Sequence, residues 1–551
     1  MTATFGAVVR KGGAGLPVIA LSALVGSGVT LALPAVLGRA IDAIVAGAAP
    51  GGWITVACGL IGLGMAAEIA GAYAAAASTA GATAWLRDRL VRHTLAIGPR
   101  RAGAFETGDL VSRVSGNAVE AAQAGPSAVA AATALLPPAG ALVLLAAVDP
   151  WLAAVFLAGL VLLGAVLRAF TRHTAAAVTA YQRTQGRLAA RLAESLAGIR
   201  TIAAAGTVDR ERRRILEPLG ALRREGADTW RVLGRSSAQA AATGPLLLVA
   251  VLATGGLALA AGRISAGDLF AASRYAAIGA GLGSLTGVLG RLARSRAGVR
   301  RAAEVLDIPT VRHGPSTVPE GPGTVEFQGV SARSDGGAPL LDGVDLVLPG
   351  GATVAVVGRS GAGKSVLAAL AARLRDPDAG RVLLDGVPLP DLSRAALRTA
   401  VGCAFERPVL VGGTVADAVG LGLSRDRVRA AAYATHAHDF VSRLPEGYDT
   451  ALAQAPMSGG EAQRLGLARA WHAERLLVLD DATSSVDTAT EVRIAAALTG
   501  SGGGRTRLVV THRAATAARA DLVVWLAGGR VRAVGRHADL WADPEYREVF
   551  R

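Results

Sequence analysis

Gly358-Arg359-Ser360-Gly361-Ala362-Gly363-Lys364-Ser365 is the stretch from which the rest of the chain can be read. It follows the β-like run Thr353–Val357 and opens a helical stretch from Val366 to Leu374. That is the setting in which a G-x-x-x-x-G-K-[ST] loop holds phosphate. The glycines let backbone N–H groups turn inward, Lys364 can neutralise terminal phosphates, and the Ser365 hydroxyl can ligate magnesium. An ordinary glycine-rich strand-to-helix turn is the alternative reading, and the downstream residues weigh against it. Lys11 and Lys364 are the only lysines in the chain. A lysine kept against so strong an arginine bias points to chemistry that needs a compact ammonium.

Leu476–Leu479 reads as an apolar strand ending in Asp480-Asp481. The first carboxylate there can hold magnesium through water and the second can face an attacking water, although a paired Asp can also cap a loop. Between the two motifs lies Met457-Ser458-Gly459-Gly460-Glu461-Ala462-Gln463-Arg464, whose Ser-Gly-Gly core resembles the signature of the ATP-binding cassette (ABC) transporters. Its physical logic is a second helix N-terminus that presents a hydroxyl and bare amides to a phosphate.

The resemblance implies ATP and Mg2+ as cofactors. It places nucleotide contacts along Gly358, Arg359, Ser360, Gly361, Ala362, Gly363, Lys364, Ser365 and Val366. Metal contacts fall on Ser365, Asp480 and Glu406, and the catalytic positions are Asp481 and His512. Ser484-Ser485-Val486-Asp487 resembles the loop that communicates between sites, and Thr511-His512 resembles the switch that meets the γ-phosphate. Ser458, Gly459, Gly460 and Glu461 are expected to contact ATP held by an opposing cassette, so that two cassettes enclose two nucleotides.

At 551 residues and 52% hydrophobic, the chain is too long for one domain and too apolar for an ordinary soluble protein. Six segments are long enough to cross a hydrocarbon core of about 30 Å: Leu16–Gly38, Trp53–Ser78, Ser127–Val148, Trp151–Phe170, Ala238–Ala261 and Leu269–Leu289. Arg274 interrupts the last, whose alternative is an amphipathic helix facing a cavity. Arginines crowd the connections after the second and fourth segments, which puts those connections and both termini in the cytoplasm. The net charge of +15 therefore reads as membrane topology and not as nucleic-acid binding. The first apolar stretch superficially resembles a secretory signal but is long and has no clear cleavage site, so it reads as a retained helix. Cys58 and Cys403 lie too far apart in sequence to suggest a disulfide framework or a metal site.

Helical composition in Thr83–Ile97 and Arg183–Ala205 extends the membrane helices into the cytoplasm. The expected organisation is a helical membrane domain over 1–308, a Pro-rich linker over 309–322, and a cassette over 323–551 with a parallel α/β core. Phe105–Arg113 and Glu194–Thr201 resemble characteristic segments of the exporter-type membrane fold, with coupling helices near Gly103–Asp109 and Ala205–Arg212. The fold class is thus a multidomain membrane protein, a six-helix transmembrane domain of ABC exporter type followed by an α/β P-loop cassette.

Three departures from the family pattern fall on contacts to the chain's own nucleotide. Asp481 stands where the family usually has Glu, which sets the carboxylate back by about 1.5 Å. Glu406, within Cys403-Ala-Phe-Glu406-Arg-Pro408, stands where a glutamine is usual. No aromatic residue occurs in Val330–Ser334 to stack on adenine, and Ser334 takes that place. The intact signature serves the partner's nucleotide, so the asymmetry favours a heterodimer over a homodimer as the arrangement with the second half-transporter subunit.

The nearly uncharged spans fit a bulky amphiphile, lipid or peptide better than a small ion. The wording around Ala455–Glu461 and Phe405–Pro408 is similar to actinobacterial exporters of modified peptides such as lanthipeptides. Import through an exporter-type fold, as in siderophore uptake, and a nucleotide-gated membrane regulator are the alternatives.

Overall fold

The computed structural model describes residues 5–13, 15–280, 285–500 and 504–551. They fall into two compact units, Met1–Thr94 with Glu106–Ile308, and Leu95–Phe105 with Pro309–Arg551.

The first unit is helical. Gly15–Val45, Gly51–Ala96 and Thr107–Val148 are long and apolar enough to cross a membrane, and Pro150–Val161 and Gly244–Ala260 are shorter apolar helical stretches. At 46 residues and about 1.5 Å per residue, Gly51–Ala96 far exceeds the hydrocarbon thickness, so the second span runs unbroken into its arginine-rich extension. Pro150–Ala197 does the same for the fourth over 48 residues. The expected third span, Ser127–Val148, is interrupted: helix Ala124–Thr133 stops and Leu136–Val148 begins with Pro137 and Pro138 in its first turn. Proline has no N–H to give the preceding turn, which explains the break. The expected sixth span, Leu269–Leu289, is helical over Ala266–Ala280 and from Leu285 onward, and its middle, 281–284, lies outside the described residues.

Short turns at one end of the bundle are tied by buried or half-buried carboxylates. Asp149 caps Pro150–Ala197 by accepting from the Trp151 amide at 2.8 Å and pairs with Arg263 at 3.2 Å. Asp42 accepts from the Ser265 hydroxyl and the Gly267 amide, each at 2.7 Å. Gly38 and Gly267 meet backbone to backbone there, since a Cβ on Gly38 would lie 2.6 Å from the Gly267 carbonyl oxygen.

Among the described residues the second unit is built on ten strands: β1 Val325–Arg333, β2 Pro339–Leu348, β3 Thr353–Val357, β4 Ala379–Leu384, β5 Val387–Pro388, β6 Val401–Phe405, β7 Leu476–Asp480, β8 Thr506–Val510, β9 Leu522–Ala527 and β10 Arg530–Gly535. One sheet has the order β2-β1-β4-β5 and the other β10-β9-β3-β8-β7-β6. Within the larger sheet β9, β3, β8, β7 and β6 run parallel. The near-continuous apolar runs of β3, β7 and β9 are buried on both faces, as parallel strands require. Segment 95–105, which the sequence groups with the membrane helices, packs on this unit: Arg100 pairs with Asp335 and Asp378, and Arg101 donates to the Pro309 carbonyl.

Candidate functional site

Because β3, β8, β7 and β6 are parallel neighbours, their C-terminal ends bring four connections to one edge, where open α/β sheets place ligands. The register sets Phe405 opposite Asp480 and Asp480 opposite Val510. The glycine-rich loop after β3, Glu406 after β6, Asp481 after β7 and His512 after β8 therefore share one edge.

Gly363 has φ 99°, and a Cβ there would meet the Leu340 carbonyl oxygen at 2.7 Å, so only glycine lets helix Lys364–Ala371 start where it does. Lys364 is buried, and its ammonium folds back onto its own loop, donating to the carbonyls of Gly358 at 2.8 Å and Arg359 at 3.1 Å. Burial pulls its pKa below the usual lysine value, against the opposing pull of Asp481 and Asp480. The Ser365 hydroxyl donates to Asp480 at 3.0 Å, so two of the three oxygen ligands expected for magnesium already touch. Of the remaining loop positions, Arg359 pairs with Glu548, and Val366 packs on the cassette core.

Asp480 titrates above the ordinary carboxylate range, through burial first and then the nearby Asp481 and Glu406. Asp481 is raised by burial as well, with His512 and Lys364 opposing. Its backbone has φ 49°, a left-handed conformation that Asp adopts more readily than longer side chains. One oxygen of Asp481 lies 3.6 Å from His512 Nε2, and both side chains line a cavity of about 260 Å³ together with Glu406. Glu406, Asp480 and Asp481 are acceptor-only when ionised, and among the described residues no three Asp, Glu, His or Cys side chains converge into a ready-made metal site.

Ser458 caps helix Gly459–Ala470: its hydroxyl accepts from the Glu461 amide, and Glu461 accepts in return from the Ser458 amide at 2.8 Å and hydroxyl at 2.9 Å. Those hydrogen bonds hold Glu461 below the usual carboxylate range and tie its carboxylate to the start of the helix. A Cβ on Gly460 would lie 2.8 Å from the Ser485 carbonyl oxygen, which explains that glycine. Asp487 caps the next helix by accepting from the Thr490 amide at 2.9 Å.

Ser334 proves to be a turn residue. It closes the β1–β2 hairpin, its amide donating to the Ala338 carbonyl at 2.8 Å and its hydroxyl accepting from the Ala338 amide at 3.1 Å. With its polar atoms spent in the turn and no π face, it supplies no stacking surface for adenine.

Two residues stand out that the motif reading did not single out. Gln463, 2% exposed, donates to the Glu406 carbonyl at 2.6 Å and the Ser484 hydroxyl at 2.9 Å, and accepts from the Ser485 amide at 2.8 Å. One side chain thus joins the signature helix, the β6 end and the loop before Asp487. Arg513 pairs with Glu491 and donates to the Ser484 carbonyl at 2.9 Å, tying the residue after His512 to that loop. Their positions beside Ser458-Gly459-Gly460 and His512 were the only signals in the sequence.

A glycine-rich loop, an acidic strand end and a histidine at one edge of a parallel sheet, in a chain that also carries membrane-length helices, are the features of an ATP-powered membrane transporter subunit. The ABC transporter profile matches residues 341–484 and the ABC transporter transmembrane region profile matches 16–280. The ABC transporter ATP-binding protein RamA of Streptomyces coelicolor is 48% identical over 98% of this chain and 86% of its own length. The fatty acid ABC transporter ATP-binding/permease protein of Mycobacterium tuberculosis is 33% identical over 79% of this chain and 71% of its own. A solved bacterial Atm1-family ABC exporter with ATP bound superposes with a TM-score of 0.75 at 26% identity, covering 99% of this chain and 98% of that one. The chain belongs to the ABC transporter family, with the exporter-type fold, and uses ATP to drive transport across a membrane.

Proposed function

We propose that this chain is one subunit of a heterodimeric exporter in which its own nucleotide site binds MgATP and hydrolyses it slowly, while its signature completes a faster site on the second subunit. The observation that carries this reading is the trio Glu406, Asp480 and Asp481 at the phosphate edge. Lys364, Ser365 and the loop amides are the groups to grip the phosphates, with Ser365, Asp480 and Glu406 around magnesium. Asp481 is the short base, His512 the switch, and Ser458, Gly459 and Gly460 the contact to the other nucleotide. Charge placement supports cytoplasmic termini, and composition supports a membrane domain over 1–308, a linker over 309–322 and a cassette from 323.

Amphiphilic modified peptides are the cargo class we assign, on the nearly uncharged spans and the wording around Ala455–Glu461 and Phe405–Pro408. The test is ATPase activity of the purified chain alone. Slow turnover is expected, rising when a second subunit with Glu after its magnesium Asp is added. Turnover comparable to an ordinary exporter and indifferent to Asp481→Asn would refute the proposal.

A further inference from the structure

Apart from Arg168 near the end of the fourth, Glu68 and Arg274 are the only charged residues within the six apolar segments. A charge there is costly in hydrocarbon unless water or an opposite charge meets it. Contacts along helix Gly15–Val45 fix the depth of both. Gly267 meets Gly38 and Asp42 toward one end of that helix, and the Tyr275 hydroxyl donates to the Leu31 carbonyl, near its middle, at 3.0 Å. Arg274 therefore lies level with the middle of the first helix, about 10 Å of helix from the Gly267 joint. Glu68 lies between Gly64, which abuts Val29, and Gly71, which abuts Ser22, so it sits beyond the level of Leu31. Arg274 pairs with neither Glu68 nor any other carboxylate among the described residues. Asp268, on the same helix, is engaged at the helix start, where it accepts from the Ser265 amide at 3.0 Å.

Ala271, Ala272, Tyr275 and Ala276 form the buried face of helix Ala266–Ala280 and pack with Phe156, Leu247 and Val251 in one apolar cluster. Arg274 is exposed on the other side, and the small Ala277 beside it leaves the guanidinium open. A guanidinium at that depth does not face acyl chains, so it marks a polar path through the bundle. Lipid headgroups stay at the surface, about 15 Å from the middle of the hydrocarbon core, which leaves the crossing molecule as the source of a counter-charge. The planar fork of arginine matches a carboxylate with two parallel hydrogen bonds, a contact that no neutral or cationic group reproduces.

We infer that Arg274 receives a carboxylate of the transported amphiphile and selects anionic cargo over neutral or cationic cargo of the same size. The inference rests on the cargo reading above and narrows it, because it names the charge that an amphiphilic peptide has to present and the residue that meets it.

The test uses the full chain in phosphatidylcholine nanodiscs and three dodecanoyl-alanine peptides with a neutral dansyl reporter, ending in a carboxylate, an amide or an amine, with binding to empty nanodiscs subtracted. The carboxylate peptide is expected to bind about tenfold more tightly than the amide. Arg274→Gln should bring the carboxylate peptide to the affinity of the amide, Arg274→Lys should keep part of the preference, and Arg274→Glu should turn it toward the amine. Equal binding of carboxylate and amide by the unaltered chain would overturn the inference and leave the peptide-cargo reading standing. A preference that survives in Arg274→Gln would overturn it as well, as would one that vanishes when phosphatidylglycerol replaces phosphatidylcholine, which would mark a lipid-headgroup contact. Failure of all three peptides to bind would overturn the cargo reading and the inference together.

Discussion

Asp481→Glu is the sharpest perturbation of the proposed slow site. The Asp481 carboxylate reaches to 3.6 Å from His512 Nε2, outside hydrogen-bond distance, and the added methylene extends the side chain by about 1.5 Å. A general base in reach of its water contributes about 10²- to 10⁴-fold, so restoring part of that reach should raise the ATPase of the chain at least tenfold. An opposing effect comes from the backbone. Residue 481 has φ 49°, where Glu is less at home than Asp, at a cost of about 1 kcal/mol in cassette stability. The variant should therefore be faster and slightly less stable. The assay is phosphate release at saturating MgATP in nanodiscs, with Lys364→Ala as the blank and nucleotide binding measured in parallel. A folded Asp481→Glu protein that binds ATP normally yet turns over no faster than wild type would refute the idea that carboxylate reach limits this site.

Gln463→Ala removes three hydrogen bonds from a buried position and strands the Glu406 carbonyl and the Ser485 amide, each at about 1–3 kcal/mol. ATP affinity should change little while ATP-driven cargo uptake into vesicles falls at least tenfold, a split that nucleotide binding and transport assays will resolve. Gly363→Ala forces a side chain into φ 99° against the Leu340 carbonyl and should cost at least tenfold in ATP affinity, read by titration with a fluorescent nucleotide. Asp481 has a folded pKa above its unfolded value, so the folded state binds the extra proton and its ionised form destabilises the nucleotide-free cassette as pH rises. Asp481→Asn should then melt higher than wild type at pH 7 without nucleotide, and the gap should close as pH falls through the raised pKa, which thermal unfolding across pH will show.

The glycine-rich loop, the Asp480-Asp481 strand end and the signature were legible because each joins special backbone geometry to an adjacent period of strand or helix. Gln463 was not, since its role lies in contacts to residues 57 and 21 to 22 positions away, which no local pattern encodes. The turn that holds Ser334 was hidden for a related reason. The missing aromatic was visible in the chain, but that the serine closes a hairpin depends on Ala338 coming back to meet it. Glu461 is tied to Ser458 by a capping box over the four residues from 458 to 461, a pairing that the Ser-Gly-Gly-Glu spacing carries in the sequence itself. In the membrane part, hydropathy located the long apolar helices Gly15–Val45, Gly51–Ala96 and Thr107–Val148, while the break before Leu136 depended on how Pro137 and Pro138 start a helix.

The meeting of Gly38 with Gly267, reinforced by the two arms of Asp42, makes a weld between the first long helix and the start of Ala266–Ala280. With backbone against backbone there is no side chain to slide or repack, so these two elements travel as a single lever. Rearrangement of the bundle during a transport cycle has to bend around that joint, and the proline-started break before Leu136 provides one place for the bending to go.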